Sequence, residues 1–304
     1  MNYIDITQQR IIDAESKHYL GIIDDIFVRI DNITNSYVKA FFCYYINPYL
    51  DIIVKGTPEQ LLECHNRVKP HLIPVVKTNI QEVFKYQGWF DQKKKTKYDA
   101  YDLASNLDVP TCVYCNRIYT KTVINPSKIT RPTFDHWFSK SDYPLLALSF
   151  YNLLPSCSVC NSGVKGSNDF GLDTHFHPYH KSMNDYEIIN FKFSYDHKDY
   201  STFKFKIINK NDFSENSTNA FKLKEIYETH EDEIKDLRRL RDVYSEKYLE
   251  MLKKNILKGT STSDEEIYRL AFGTHIDETK FDRRPLSKMK KDILEELGIL
   301  KHLK

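Results

Sequence analysis

Two Cys-x-x-Cys pairs, Cys112/Cys115 and Cys157/Cys160, bracket an Asp135-His136 dipeptide, and Asn161 follows directly on the last cysteine. A two-residue spacer lets both sulfurs of a pair turn toward one ion, and two such pairs complete the tetrahedral thiolate shell that zinc favours. Forty-one residues separate the pairs, so the segment between them must loop out and return, anchored at both ends. A redox dithiol would need a single Cys-x-x-Cys at a strand-to-helix junction, whereas here there are two, both in turn-rich sequence. The four cysteines are read as ligands of a structural Zn²⁺, and whatever lies between them as the cargo of that frame.

Inside the loop runs Arg131-Pro-Thr-Phe-Asp135-His136-Trp-Phe-Ser-Lys140, followed by Tyr151-Asn152-Leu153-Leu154-Pro155, the Cys157/Cys160 pair, Asn161 and Lys165. In this order the stretch from Cys112 to Asn168, about a fifth of the chain, resembles the zinc-containing HNH endonucleases of the His-Me finger superfamily. The resemblance implies a β-hairpin followed by a helix, wrapped round one catalytic divalent cation, Mg²⁺ or Mn²⁺. It implies His136 as general base, Asp135 as a ligand of that cation, Asn152 as the residue pinning the loop that bears the histidine, and Asn161 as a second ligand. Asn stands where the family name has its final His, a variant that occurs within the family. The Cys-Val-Tyr-Cys-Asn-Arg start and the long flanking regions are similar, more loosely, to HNH proteins of bacterial antiphage defence systems such as the nuclease partner of Septu-type ATPases. That likeness implies an ATPase partner docking on the helical regions 1 to 105 and 219 to 300.

The chemistry of the residues agrees with those roles. Phosphodiester hydrolysis needs a nucleophile made from water, and an imidazole with a pKa near 6.5 can accept that proton at neutral pH. Asp135 and Asn161 offer the hard oxygens that Mg²⁺ takes, and two protein ligands leave room for water and phosphate. Neighbouring residues on a strand point to opposite faces, so Asp135 and His136 can serve one site only if the backbone bends there or the site lies at the strand edge.

Lys165 either contacts the phosphate of the scissile strand or is a solvated lysine. His175, His177 and His180 invite a second metal, against the alternative that they brace the site. From Lys85 to Lys165 there are eleven Lys or Arg against six Asp, in a chain whose formal net charge is only +2. Attraction to nucleic acid must therefore come from this patch rather than a global field. Lys93 to Lys97, Lys121, Lys128, Arg131 and Lys140 could track a phosphate backbone, with Tyr119 or Trp137 for base stacking.

The elements that must position these residues read as an α+β fold, mostly helical. A small ββα-metal core braced by the four-cysteine zinc site is expected, with N- and C-terminal helical extensions. Residues 1-105 form a helical region, in which Ile23, Ile26, Phe27, Ile30, Ile33, Tyr37 and Phe41 share the apolar face of a helix spanning Ile22 to Leu50. The zinc-braced core takes 106-182, in the order hairpin, loop, Asp-His, helix, metal knuckle. A β-hairpin plus helical region takes 183-304. Period-two alternation from Tyr186 to Ile208 predicts the hairpin, and helical periodicity from Asn219 to Leu257 predicts one long helix. Shorter helices follow at Asp264 to Leu270 and Ser287 to Leu297.

With 304 residues, 41% of them hydrophobic, the chain can bury a sizeable core. Six cysteines are too sparse for a disulfide scaffold, and Cys43 and Cys64 read as core thiols. The start MNYIDITQQR carries acidic and polar residues where a secretory signal needs an apolar run, and no run of about eighteen apolar residues exists, so a cytoplasmic protein without membrane contact is expected. The activity the resemblance implies is metal-dependent endonuclease action on DNA, leaving 5′-phosphate and 3′-hydroxyl ends, with homo-oligomerisation open. The alternatives are an RNA-cleaving HNH nuclease and a zinc-knuckle module that binds nucleic acid without cutting it.

Overall fold

The computed structural model describes residues 1–92, 97–166, 168, 170–180, 190–197, 203–243, 251 and 263–300. It is an α+β fold, mostly helical, with two small two-stranded sheets. Helix α1, Gln9–Asp31, buries Ile11, Ala14, His18, Ile22, Ile23, Ile26 and Ile30, the stripe that a 3.6-residue period sets on one face. Where one helix from Ile22 to Leu50 was expected, α1 stops at Asp31 and a second helix, α2 (Ser36–Phe41), begins after Asn35. The Asn35 side chain accepts from Val38 N at 3.1 Å, and such a cap starts a new helix rather than continuing an old one. Phe27 and Tyr37, expected in the core, are exposed, as is Cys43 on the turn that follows α2; Cys64 is buried.

Helices α3 (Leu50–Lys55), α4 (Pro58–Val68), α5 (Pro74–Val83) and α6 (Ala100–Leu107) complete the N-terminal region. Proline at the first turn of α4 and α5 removes an N–H that would have lacked a partner there. Gly21 on α1 lets the Tyr98 ring approach so closely that a Cβ would lie 2.3 Å from it. That contact seats the chain just before α6 against α1.

Strand β1, Thr133–His136, pairs antiparallel with β2, Leu153–Ser156, with Asp135 opposite Leu154 and His136 opposite Leu153. The sixteen residues joining them hold two 3-10 turns, Pro144–Leu146 and Phe150–Asn152, and not the helix expected between Asp-His and the second cysteine pair. The helical piece comes later, as a π-type turn over Val159–Lys165. The N-terminal helices brace the β1–β2 connection from behind. His18 Nε2 donates to the Leu148 carbonyl at 2.8 Å, Ser149 Oγ donates to the Ile53 carbonyl, and the Tyr151 hydroxyl reaches Glu15 at 2.6 Å.

Strands β3 (Phe191–His197) and β4 (Phe203–Asn209) form the expected hairpin, whose turn lies outside the described residues. The single helix expected from Asn219 is instead α7 (Asp212–Ala220), α8 (Leu223–Glu228) and α9 (Glu231–Val243). Lys222, left-handed at φ 48°, breaks the first junction. The apolar face survives the breaks, with Phe221, Leu223, Tyr227, Ile234 and Leu237 buried. The stretch from Tyr244 to Leu257 lies outside the described residues except Met251. Helices α10 (Asp264–Phe272) and α11 (Ser287–Glu296) follow. One apolar cluster runs from Met1 to Leu300 through all three regions. Among the described residues no helix is long and apolar enough to cross a membrane.

Candidate metal centre and adjoining cleft

The four sulfurs of Cys112, Cys115, Cys157 and Cys160 all lie within 4.8 Å of one another, and every one of these residues is buried. Zinc–sulfur bonds of about 2.3 Å in a tetrahedron put sulfurs about 3.8 Å apart. Cys115 Sγ and Cys157 Sγ, at 4.0 Å, are close to that spacing, so the quartet could bind a metal such as zinc. The crowded thiols shift one another in opposite senses. Hydrogen bonds from Cys112, Cys115 and Cys160 draw the Cys157 thiol far below its ordinary pKa, while contacts with Cys112, Cys115 and Cys157 push Cys160 far above it. A cation that takes thiolates relieves this competition for protons.

Asn116, left-handed at φ 50° directly after Cys115, ties this knuckle to the C-terminal region. Its amide donates to Thr111 Oγ1 at 3.1 Å, to the Phe281 carbonyl at 2.8 Å and to the Arg284 carbonyl at 3.2 Å, and its Oδ1 accepts from Ser287 N at 3.0 Å. The Tyr227 hydroxyl donates to the Cys115 carbonyl, so α8 closes over the same knuckle.

Asp135 and His136 occupy the last two positions of β1, where the strand ends, and both line one open cleft of about 430 Å³. Their side chains are held on different partners. The Asp135 carboxylate accepts at Oδ2 from the Tyr114 hydroxyl at 2.5 Å and from Lys165 Nζ at 2.8 Å. The His136 ring sets Nε2 against the Ala147 carbonyl at 3.0 Å and lies edge-on to Tyr86, ring centroids 4.7 Å apart. A carbonyl only accepts, so Nε2 carries the proton and Nδ1 keeps the lone pair. Burial pushes the His136 pKa down to about 4, against the Ala147 carbonyl and Asp135, which favour the charged ring. The imidazole is therefore neutral at pH 7.

Asn152 grips the connection that follows His136 at two points. Its Oδ1 accepts from Phe138 N at 2.7 Å, and its amide donates to the Phe138 carbonyl at 3.1 Å and the Leu146 carbonyl at 2.8 Å. Asn161, on the π-turn, lines the cleft and donates from Nδ2 to the Phe134 carbonyl at 3.3 Å, which leaves its Oδ1 as the atom able to meet a cation. The donor set of one carboxylate and one carboxamide oxygen suits a hard divalent ion that keeps water in its shell.

Lys165 lines the cleft and is buried rather than solvated. Its side chain is 4% exposed, and besides Asp135 its ammonium donates to the His136 carbonyl at 2.6 Å and the Trp137 carbonyl at 3.3 Å. Arg131 and Lys140 line the cleft; Arg131 donates to the Pro132 carbonyl at 2.8 Å, and the Lys140 ammonium lies 5.9 Å from the centre of the Tyr86 ring. Of the other cations expected on a phosphate track, Lys97 pairs with Asp25 and Lys128 with Asp99, while Lys93 to Thr96 lie outside the described residues.

The three histidines divide among separate partners. His175 stacks on Phe170, His177 is buried 4.7 Å from the Trp137 ring, and His180 meets Glu59 at 2.5 Å. Among the described residues, the cysteine quartet is the one set of three or more His, Cys, Asp or Glu donors that closes on a single point. Two residues of the site escaped the sequence reading, Tyr114 and Tyr86. Tyr114 sits between two cysteines, where a large aromatic in a two-residue spacer was a usable signal. Nothing local marks Tyr86. No protein-family model, curated protein or solved structure matches this chain.

Proposed function

We propose that this protein is a metal-dependent endonuclease of the HNH type that hydrolyses phosphodiester bonds in DNA. The observation that carries the reading is His136: a buried, neutral imidazole whose Nε2 is committed to the Ala147 carbonyl, in a cleft shared with Asp135 and Asn161 and beside four cysteines able to hold zinc. A neutral ring with its lone pair on Nδ1 is the form that takes a proton from water. Asn152 holds the connection that presents Ala147, and Lys165 holds the His136 and Trp137 carbonyls, so the ring has a fixed aim. Asp135 and Asn161 would hold Mg²⁺ or Mn²⁺, which would supply charge neutralisation at the phosphate and the departing 3′ oxygen. Arg131 and Lys140 add positive charge at the cleft.

The proposal extends to a role as effector in bacterial antiphage defence, delivered or restrained by an ATPase partner. Leu20, Phe27 and Val28 on α1, with Tyr37 and Tyr44 beyond it, are exposed apolar side chains of the kind a partner covers.

Purified protein incubated with plasmid and with total RNA, in Mg²⁺ or Mn²⁺, tests the reading alongside His136→Ala. Plasmid should be cut by the wild type, and loss of the base should slow cutting by about 10²- to 10⁴-fold. Cutting unchanged in the variant sinks the assignment, and cutting of RNA alone moves the substrate. One observation favours a second reading, a zinc-knuckle module that binds nucleic acid without cleaving: Lys165 already brings a positive charge to Asp135. DNA binding without cleavage by the wild type would select it.

A further inference from the structure

Residues 119–130 leave the first cysteine pair and enter β1, and none of them is buried. The segment folds back on itself through a bridge between Val123 and Thr130, with Val123 N donating to the Thr130 carbonyl at 2.9 Å and Ile129 N to the Val123 carbonyl at 2.8 Å. A second bridge, Thr111 to Tyr119, seats its base beside Cys112. A ribbon-like loop closed only by isolated bridges is marginal alone in water, and its apolar side chains ordinarily pack on the body of the protein. Here they do not: Ile129 is 55% exposed and Tyr119 50%, with Val123 and Ile124 close to 40%.

Charge separates this patch from an ordinary sticky surface. From Val109 to Phe134 the chain has Arg117, Lys121, Lys128 and Arg131 and no Asp or Glu; Lys128 pairs with Asp99 at 2.6 Å, so the positive charge offered outward rests on Lys121, with Arg131 at the cleft. Lys121 lies over the Tyr119 ring at 4.7 Å, so the exposed aromatic carries a cation with it. At the other end of the ribbon, Arg131 and Thr133 line the cleft itself. An aliphatic tip flanked by cations, with no acid in its own segment and opening into a cleft, matches a polyanion with apolar groove walls.

We propose that the 119–130 ribbon is a DNA-gripping arm: Lys121 meets backbone phosphate, and Ile124 and Ile129 press into a groove of the duplex beside the cleft. The proposal rests on the reading of the cleft as a DNA-cutting site. The arm contributes hold rather than chemistry, so it acts on affinity and leaves the bound turnover rate alone. Because no arm residue is buried, its substitutions do not threaten the core.

The test uses the full chain and a labelled 30-base-pair duplex, with affinity read by fluorescence anisotropy in a His136→Ala background at several salt concentrations. Cleavage is read separately, under single turnover with His136 intact and DNA saturating. Ile124→Ser with Ile129→Ser should weaken binding about tenfold, as loss of two apolar contacts does, with the salt dependence unchanged. Lys121→Ala should reduce the slope of log K against log salt by about one, the signature of one lost phosphate contact. Both variants should cleave at the wild-type rate once saturated. If wild type binds and cuts DNA while both variants bind equally well, the arm proposal fails and the nuclease reading stands; the apolar arm would then face a protein. If wild type neither binds nor cuts DNA, the nuclease reading fails and takes the arm with it.

Discussion

Lys165 and Asp135 form an ion pair of 2.8 Å within the wall of the cleft, their side chains 4% and 6% exposed. The pair joins the two cysteine knuckles. Tyr114, between Cys112 and Cys115, donates to the same Oδ2 that Lys165 reaches from the turn carrying Cys160 and Asn161. The carboxylate proposed to face a catalytic cation is thus held from both halves of the quartet.

Removing one member of a buried pair leaves the other charge uncompensated. Lys165→Met should cost about 3–5 kcal/mol of stability, and Lys165→Met with Asp135→Asn should cost clearly less than the sum of the two single changes. Urea midpoints of the four proteins measure this. Strict additivity would show that the two groups do not interact in solution.

Tyr114→Phe removes only the hydroxyl and keeps the ring, which stacks on Phe221 with centroids 4.0 Å apart. A lost hydrogen bond to a charged acceptor predicts a cost of about 1.5–3 kcal/mol. The same change should slow DNA cutting while leaving zinc content at the wild-type level, measured by metal analysis on the purified variant. A cutting rate equal to wild type would separate Tyr114 from the orientation of Asp135.

Zinc is expected at one equivalent per chain. Because the quartet ties residues that close on each other across the Cys115–Cys157 contact, a metal bound there would be folding energy for the segment between them. Cys157→Ser, or a strong chelator, should remove the zinc and lower the melting temperature by about 5 °C or more, since each kcal/mol lost moves a domain of this size by about 1.5–2 °C. A chain that purifies without metal and melts unchanged in chelator would refute the zinc assignment.

How far the sequence carried these conclusions depended on how local the signal was. The cysteine quartet was legible because chelate spacing is a local property, and the apolar faces of α1 and of residues 221–237 followed from periodicity. The break before α8 was not, because a non-glycine residue at positive φ, Lys222, leaves no mark in composition. The burial of Lys165 was hidden for another reason. A lysine reads as solvated unless its carboxylate is known to be near, and Asp135 lies thirty residues away. Asn116 is the extreme case: its partners Phe281, Arg284 and Ser287 are 165 to 171 positions distant, so only the fold assembles them.

Asn152 makes three hydrogen bonds across the β1–β2 connection with its side chain fully buried. Asn152→Ala should destabilise by about 2–4 kcal/mol, counting each lost bond at its usual net worth and the backbone groups left without partners. Its sharper signature is local. Amide hydrogen exchange should speed up at Phe138, whose N–H bonds the Asn152 carbonyl oxygen. Cutting should fall because Leu146, and Ala147 after it, lose their anchor. Protection at Phe138 equal to wild type would mean that other contacts hold the connection.

Acid should unfold this protein through its buried histidines, and His18 isolates the effect because it lies away from the cleft. Burial pushes its pKa down from 6.5 to about 4, against the Leu148 carbonyl, which favours the charged ring. Between those values the unfolded chain binds a proton that the folded chain does not, so stability rises with pH across the window. The contribution is complete above about pH 6.5 and is lost as pH falls toward 4, amounting to about 3 kcal/mol over the whole span. His65 and His136, each pushed down to about 4 mainly by burial, act in the same direction. His18→Gln keeps a donor for the Leu148 carbonyl and removes the titration. Its urea stability should therefore fall less steeply than wild type between pH 6.5 and 4.5, even if it is lower at pH 7. Parallel curves for the two proteins would mean that His18 does not stay neutral in the folded chain.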